Sequence, residues 1–135
     1  MEPTHQEDDL LTQALGDFDR WSQGDTEGYG QSAGTDVTYF HNAPAGARVD
    51  GIRAFRELLS ELKGVIPPHN YKLVDPKVQL YGSVGIFTLQ YHAFSPDGEP
   101  LAQARGTCVY HKVDGAWEMV HTHWSALDQA VSQSI

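Results

Sequence analysis

The chain has 135 residues, 40% of them hydrophobic and 10% aromatic, enough for one folded domain with a real core. A formal net charge of −9 without any cluster of Lys and Arg argues against a nucleic-acid partner. No apolar run approaches the roughly 20 residues of a membrane span, the acidic start MEPTHQEDD is unlike a signal peptide, and the single Cys108 excludes an internal disulfide; the expected setting is cytoplasmic.

Taken in order, residues 1–5 read as a loose tail, and so do residues 128–135, at the two ends of a single domain over 1–135. Leu11, Ala14, Leu15, Phe18 and Trp21 follow helical spacing, so a helix is expected over about Gln6–Gln23 with Gly24 as its stop. Asp25 or Thr26 can cap a second, short helix, which Gly28, Gly30 and Gly34 weaken. Asp36–His41 is β-branched and aromatic and reads as a strand. NAPAGARVDG reads as a loop. Ile52, Phe55, Leu58, Leu59 and Leu62 predict a helix over about Ile52–Lys63, ended by Gly64, and Pro67 and Pro68 forbid its continuation.

From Asn70 the apolar period changes from 3.6 to 2. Four strands are expected: Tyr71–Tyr81, Ser83–Ser95, Leu101–Lys112 and Ala116–Ser125. Pro76 requires an edge position or a strand start. Asp114-Gly115 between two apolar runs is a hairpin signal. Helices first and meandering strands after give α+β with an antiparallel sheet.

The turns set a register, and the register sorts side chains by face. With a two-residue turn at Asp114-Gly115, Tyr110 faces Met119, Cys108 faces His121 and Gly106 faces His123. Across the preceding hairpin, Tyr91 faces Ala104, Leu89 faces Gly106 and Phe87 faces Cys108. One face then carries Phe87, Leu89, Tyr91, Ala104, Gly106, Cys108, Tyr110, Met119, His121 and His123. It is apolar, and its small central residues leave room for a cavity. The other face carries Arg105, Val109, Val120, Thr122 and Trp124 among others, a mixture suited to packing against another subunit.

These residues carry a family resemblance. The order α-α-β-α-β-β-β-β over the full chain resembles the NTF2-like cone, the group that includes SnoaL-like proteins and ketosteroid isomerase. The segment PDGEP…TCVYHKVDGAWEMVHTHWSA is similar to the association domain of calcium/calmodulin-dependent kinase II and its small bacterial relatives. The Asp-Gly-x-Trp turn followed by Val-His-x-His-x-Ser is its most specific element. The resemblance implies an α+β, NTF2-like (cystatin-like) cone: three N-terminal helices packed on a curved, mostly antiparallel sheet, with a pocket on the concave face and a homodimer through the outer face. One such fold hosts many functions. Steroid isomerases of this group place a general-base Asp where this chain reads Phe40-His41-Asn42, and a protonated Asp on the strand that here is Gly106–His111. Neither acid is present. Kinase association domains carry pocket arginines where Tyr91 and Cys108 stand here.

Two readings follow. The first is a protein that binds an unknown small, largely apolar molecule, with isomerisation, dehydration or hydrolysis as its chemistry and no cofactor. His123, His121, His41 and Tyr91 are the catalytic candidates, the imidazoles as acid or base near neutral pH. Tyr39, Leu89, Gly106, Cys108, Tyr110, Met119, Phe18 and Trp21 are the candidate ligand contacts. The bland counterparts are hydrogen-bonded structural histidines, core tyrosines and an inert buried cysteine. A metal site would need a third ligand beside His121 and His123; His41 is the obvious one and carboxylates are lacking nearby, so none is assigned. The second reading is a non-enzymatic oligomerisation or accessory module.

Overall fold

The computed structural model describes residues 5–40 and 47–127. Leu10, Ala14 and Phe18 recur every four residues, so one stripe of α1 (His5–Ser22) is buried against the sheet. Glu7 and Asp8 in its first turn and Arg20 in its last suit the helix dipole. Gly24, at a φ of 86°, turns the chain out of it. Asp25 caps α2 (Thr26–Tyr29), its carboxylate accepting from the Gly28 N–H at 2.9 Å. Thr26 donates its hydroxyl to the Leu59 carbonyl oxygen at 2.7 Å, which ties α2 to α3 (Ile52–Glu61). Phe55 and Leu59 are the buried face of α3.

Six strands make one sheet: β1 (Ala33–Phe40), β2 (Arg48–Asp50), β3 (Asn70–Tyr81), β4 (Val84–Phe94), β5 (Pro100–Val113) and β6 (Ala116–Ala126), in the order β2-β1-β6-β5-β4-β3. Only β1 and β6 run parallel; the other neighbours are antiparallel. β4 shows the pleat plainly, with Gly85, Phe87, Leu89, Tyr91 and Ala93 buried and the intervening residues part-exposed. Asp114 and Gly115 both have positive φ, 49° and 83°, the conformation a two-residue hairpin demands. Pro76 lies in β3, an edge strand, at the point where pairing with β4 shifts.

Three features depart from the expected pattern. β1 begins at Ala33 rather than Asp36, because a register shift against β6 between Ala33 and Thr38 leaves Thr35 and Asp36 both exposed and breaks the alternation. β2 lies in a stretch expected to be loop. Its three residues are too few to show a period, and pairing with β1, Tyr39 opposite Val49, makes them a strand.

The third departure matters most. Tyr110 faces Met119 as expected, but Val109 then faces His121, so Val120 is an extra residue in β6. Beyond that bulge every side chain changes face. Cys108 faces Thr122 instead of His121, and Gly106 faces Trp124 instead of His123. Thr122 is fully buried, and the Trp124 ring occupies the space a side chain at position 106 would need. The physical preference is clear: an indole inside the cone removes far more apolar surface from water than an imidazole, whose nitrogens would need partners there.

Candidate functional site

The helices and the inner sheet face leave a cavity of about 360 Å³. Phe18 and Trp21 reach it from α1, Tyr29 from α2 and Tyr39 from β1. Leu62, Ile66, Pro67 and His69, in and around the link from α3 to β3, close one side. Tyr91 and Ala93 on β4 and Trp124 on β6 form the floor with Ala102 and Ala104 on β5, where alanines leave the room. Leu101, half exposed, also lines it and marks its open side. Among the described residues, none that lines the cavity is an Asp, Glu, Lys or Arg.

Two polar groupings interrupt this apolar wall. In the first, the His69 Nδ1 is 2.7 Å from the Pro67 carbonyl oxygen and its Nε2 is 2.7 Å from the Tyr91 hydroxyl. The His69 backbone N–H donates to the Ser22 carbonyl oxygen at 2.8 Å, fastening the loop to the end of α1. Behind the pair, Tyr71 stacks on Tyr91 with ring centres 5.0 Å apart, and its hydroxyl donates to the Asp19 carboxylate at 2.6 Å. Burial is the largest cause raising the pKa of the Tyr91 phenol, so it stays protonated at neutral pH.

The second grouping runs along the floor. Trp124 donates its Nε1–H to the Tyr29 hydroxyl oxygen at 3.1 Å. That hydroxyl is 3.4 Å from the Thr122 hydroxyl, which is 3.5 Å from the Cys108 sulfur. Burial pushes the Tyr29 phenol well above its ordinary range, the Tyr39 phenol up to about 12 and the Cys108 thiol up to about 11. Cys108 is therefore a neutral thiol rather than a nucleophile, and the phenols act as hydrogen-bonding groups rather than bases.

Of the expected ligand contacts, Phe18, Trp21 and Tyr39 line the cavity, as does the catalytic candidate Tyr91. Leu89, Cys108, Tyr110 and Met119 are buried in the core and outside the lining, and Trp124 fills the room expected over Gly106. The bulge puts His121 and His123 on the outer face. There the His121 Nδ1 is 2.8 Å from the Thr38 hydroxyl, and both imidazoles lie against Phe40. His41 lies outside the described residues. Among the described residues no three of His, Cys, Asp and Glu converge so as to hold a metal ion. Sequence reasoning missed His69, Tyr29 and Trp124. Trp124 had a signal, since the strictly alternating phase left one of the two tryptophans of β6 on the wetter face; His69, beyond two prolines in a loop, had none.

A family model described as a SnoaL-like domain matches residues 13–129. Among curated protein sequences none matches the chain. Solved structures with a similar fold include an NTF2-like protein of unknown function from Pseudomonas putida, with a TM-score of 0.79 at 19% identity over 96% of this chain and 94% of that one. The CamKII hub homology domain of Chlamydomonas reinhardtii aligns with a TM-score of 0.74 at 22% identity, covering 91% of this chain and 99% of that one. A ketosteroid isomerase candidate from Parabacteroides distasonis aligns with a TM-score of 0.71 at 22% identity, over 90% and 85% of the two chains. At these identities the likeness is one of fold, an α+β NTF2-like architecture.

Proposed function

This chain belongs to the SnoaL-like domain family, and from that premise we propose that it binds an uncharged, ring-bearing organic molecule in the cavity and acts on it by cofactor-independent proton transfer. The observation that carries the reading is the cavity itself: about 360 Å³, walled by aromatic rings, with no carboxylate, ammonium or guanidinium among the described residues that line it. An ionised ligand would be desolvated there with no counter-charge. His69 places an imidazole in the wall, a group that can serve as general acid or base, and it is hydrogen-bonded to Tyr91. An isomerase-type reaction of this kind suits the SnoaL-like family, with His69 and Tyr91 in place of the acids the wall lacks. A neutral fluorescent probe such as N-phenylnaphthylamine should bind the native chain saturably. Ala104→Trp, which fills the cavity from its floor, should weaken that binding at least tenfold while leaving the melting temperature within a few degrees. Equal binding by both proteins would sink the reading.

A second reading concerns the outer face, and one row across the sheet favours it. Ile86, Val109, His121 and Thr38 follow one another from strand to strand and all are part-exposed. Such a mixed face suits association with a second copy, and the structural likeness to a hub homology domain supports it. Light scattering at micromolar concentration should give at least a dimer mass, and Val109→Lys should reduce it to the monomer. A monomeric native chain would count against association.

A further inference from the structure

The hydrogen bonds of His69 carry a consequence for what the cavity selects, resting on the reading that a ligand binds there. A carbonyl oxygen can only accept, so the 2.7 Å contact between His69 Nδ1 and the Pro67 oxygen puts a proton on Nδ1. In the neutral ring Nε2 then has a lone pair and no proton. Its 2.7 Å partner, the Tyr91 hydroxyl, must be the donor. The Tyr91 proton is thus committed to His69, and what the phenol has left to offer is an oxygen lone pair. Tyr91 and His69 both line the cavity.

We propose that His69 is a specificity-determining residue: by holding the Tyr91 proton it makes this part of the wall an acceptor, so the ligand carries a hydroxyl or N–H here rather than a carbonyl. Exposed tyrosines have no such bias, because a free phenol turns its proton toward whichever partner arrives. Here Pro67 fixes the tautomer, the tautomer fixes the direction of the Tyr91 hydroxyl, and that direction fixes the complementary ligand group. A ketone placed against Tyr91 would meet oxygen with oxygen, or would have to break the bond to His69 and leave Nε2 unpaired. The neighbouring groups do not undo this: Tyr71, stacked on Tyr91, gives its own proton to Asp19.

Two measurements on the full chain test the proposal. Heteronuclear NMR of the imidazole nitrogens at mildly alkaline pH should show His69 protonated at Nδ1 and bare at Nε2. Titration of the intrinsic tryptophan fluorescence with naphthol, its methyl ether and tetralone should rank naphthol first by roughly fivefold or more, the worth of one hydrogen bond. His69→Phe frees the Tyr91 proton and should bring tetralone level with naphthol or ahead of it. Tyr91→Phe should erase the discrimination. A proton on Nε2, tetralone bound by the native chain as tightly as naphthol, or an unchanged ranking in His69→Phe would overturn the inference and leave the cavity reading standing. No saturable binding of any of the three probes would overturn both.

Discussion

The two faces of the sheet are built from the same strands and tolerate different chemistry. On the inner face, Tyr39, Tyr91, Tyr110 and Cys108, and Tyr29 of α2 packed over it, are all held in their neutral forms, with burial the largest cause in each case. Tyr29 and Cys108 hydrogen-bond to Thr122, and Tyr91 to His69. On the outer face, His121 and His123 stand beside Phe40 and Thr38, where water still reaches them. The boundary between the two regimes in β6 is one extra residue, Val120. A motif that looks catalytic in sequence, His-x-His-x-Ser, is delivered to the wet face, and the ring that β6 gives the cavity, Trp124, comes from the position one step away. In this fold proximity in sequence to the pocket strand says little; the parity of the strand says nearly everything.

The largest effect that would break this comparison is in β6 itself. Trp124→Ala removes the ring that covers Gly106, lines the cavity and donates to Tyr29. It should cost about 3 kcal/mol in urea unfolding, the usual scale for emptying an aromatic site, and probe binding should fall with it. His123→Ala, one residue away on the exposed face, should change stability by less than about 0.5 kcal/mol. Equal costs, or the reverse order, would mean that the strand does not change face at Val120.

Much of the architecture was legible because it rests on repeated local signals. The buried stripe of α1, the Phe55 and Leu59 face of α3 and the Asp114-Gly115 hairpin each follow from spacing or turn chemistry within a few residues. Phe18, Trp21, Tyr39 and Tyr91, named from the sequence as candidate site residues, line the cavity. What was not legible depends on relations between segments. The bulge is a property of the β5–β6 pairing, and strict alternation carried through it gives the wrong face for His121 and His123. β2 exists because β1 offers it an edge. His69 enters the wall because its loop is tied to Ser22 at the end of α1, a contact between residues with no pattern in common.

A smaller and more finely graded test uses pH, and the buried side of α1 and the outer face of the sheet should answer with opposite sign. Asp17 is 2% exposed on α1, where it accepts from the Ser32 hydroxyl at 2.9 Å and has Arg20 at 3.5 Å. Burial outweighs both partners and pushes its pKa up to about 6 from 3.8. The folded chain therefore holds this proton more tightly than the unfolded chain. The stability it contributes is fully present below the unfolded value and is lost as pH rises through about 6. A shift of that size corresponds to roughly 3 kcal/mol, so Asp17→Asn, which keeps an acceptor for Ser32 without the charge, should gain about 1–3 kcal/mol over the native chain above neutrality and lose that advantage in acid. His121 lies on the other side of the balance. Burial first, and then His123, lowers its pKa below 6.5, so its contribution is present above 6.5 and is lost as pH falls through the folded value. His121→Gln should flatten the acid limb of the stability curve by less than Asp17→Asn flattens the neutral one, because His121 is only partly removed from water. Urea unfolding of the three proteins across the acid and neutral range separates the limbs. A neutral limb unchanged by Asp17→Asn would mean that the buried side of α1 admits charge as readily as the outer face of the sheet, and the contrast between buried and exposed groups would fail where it is strongest.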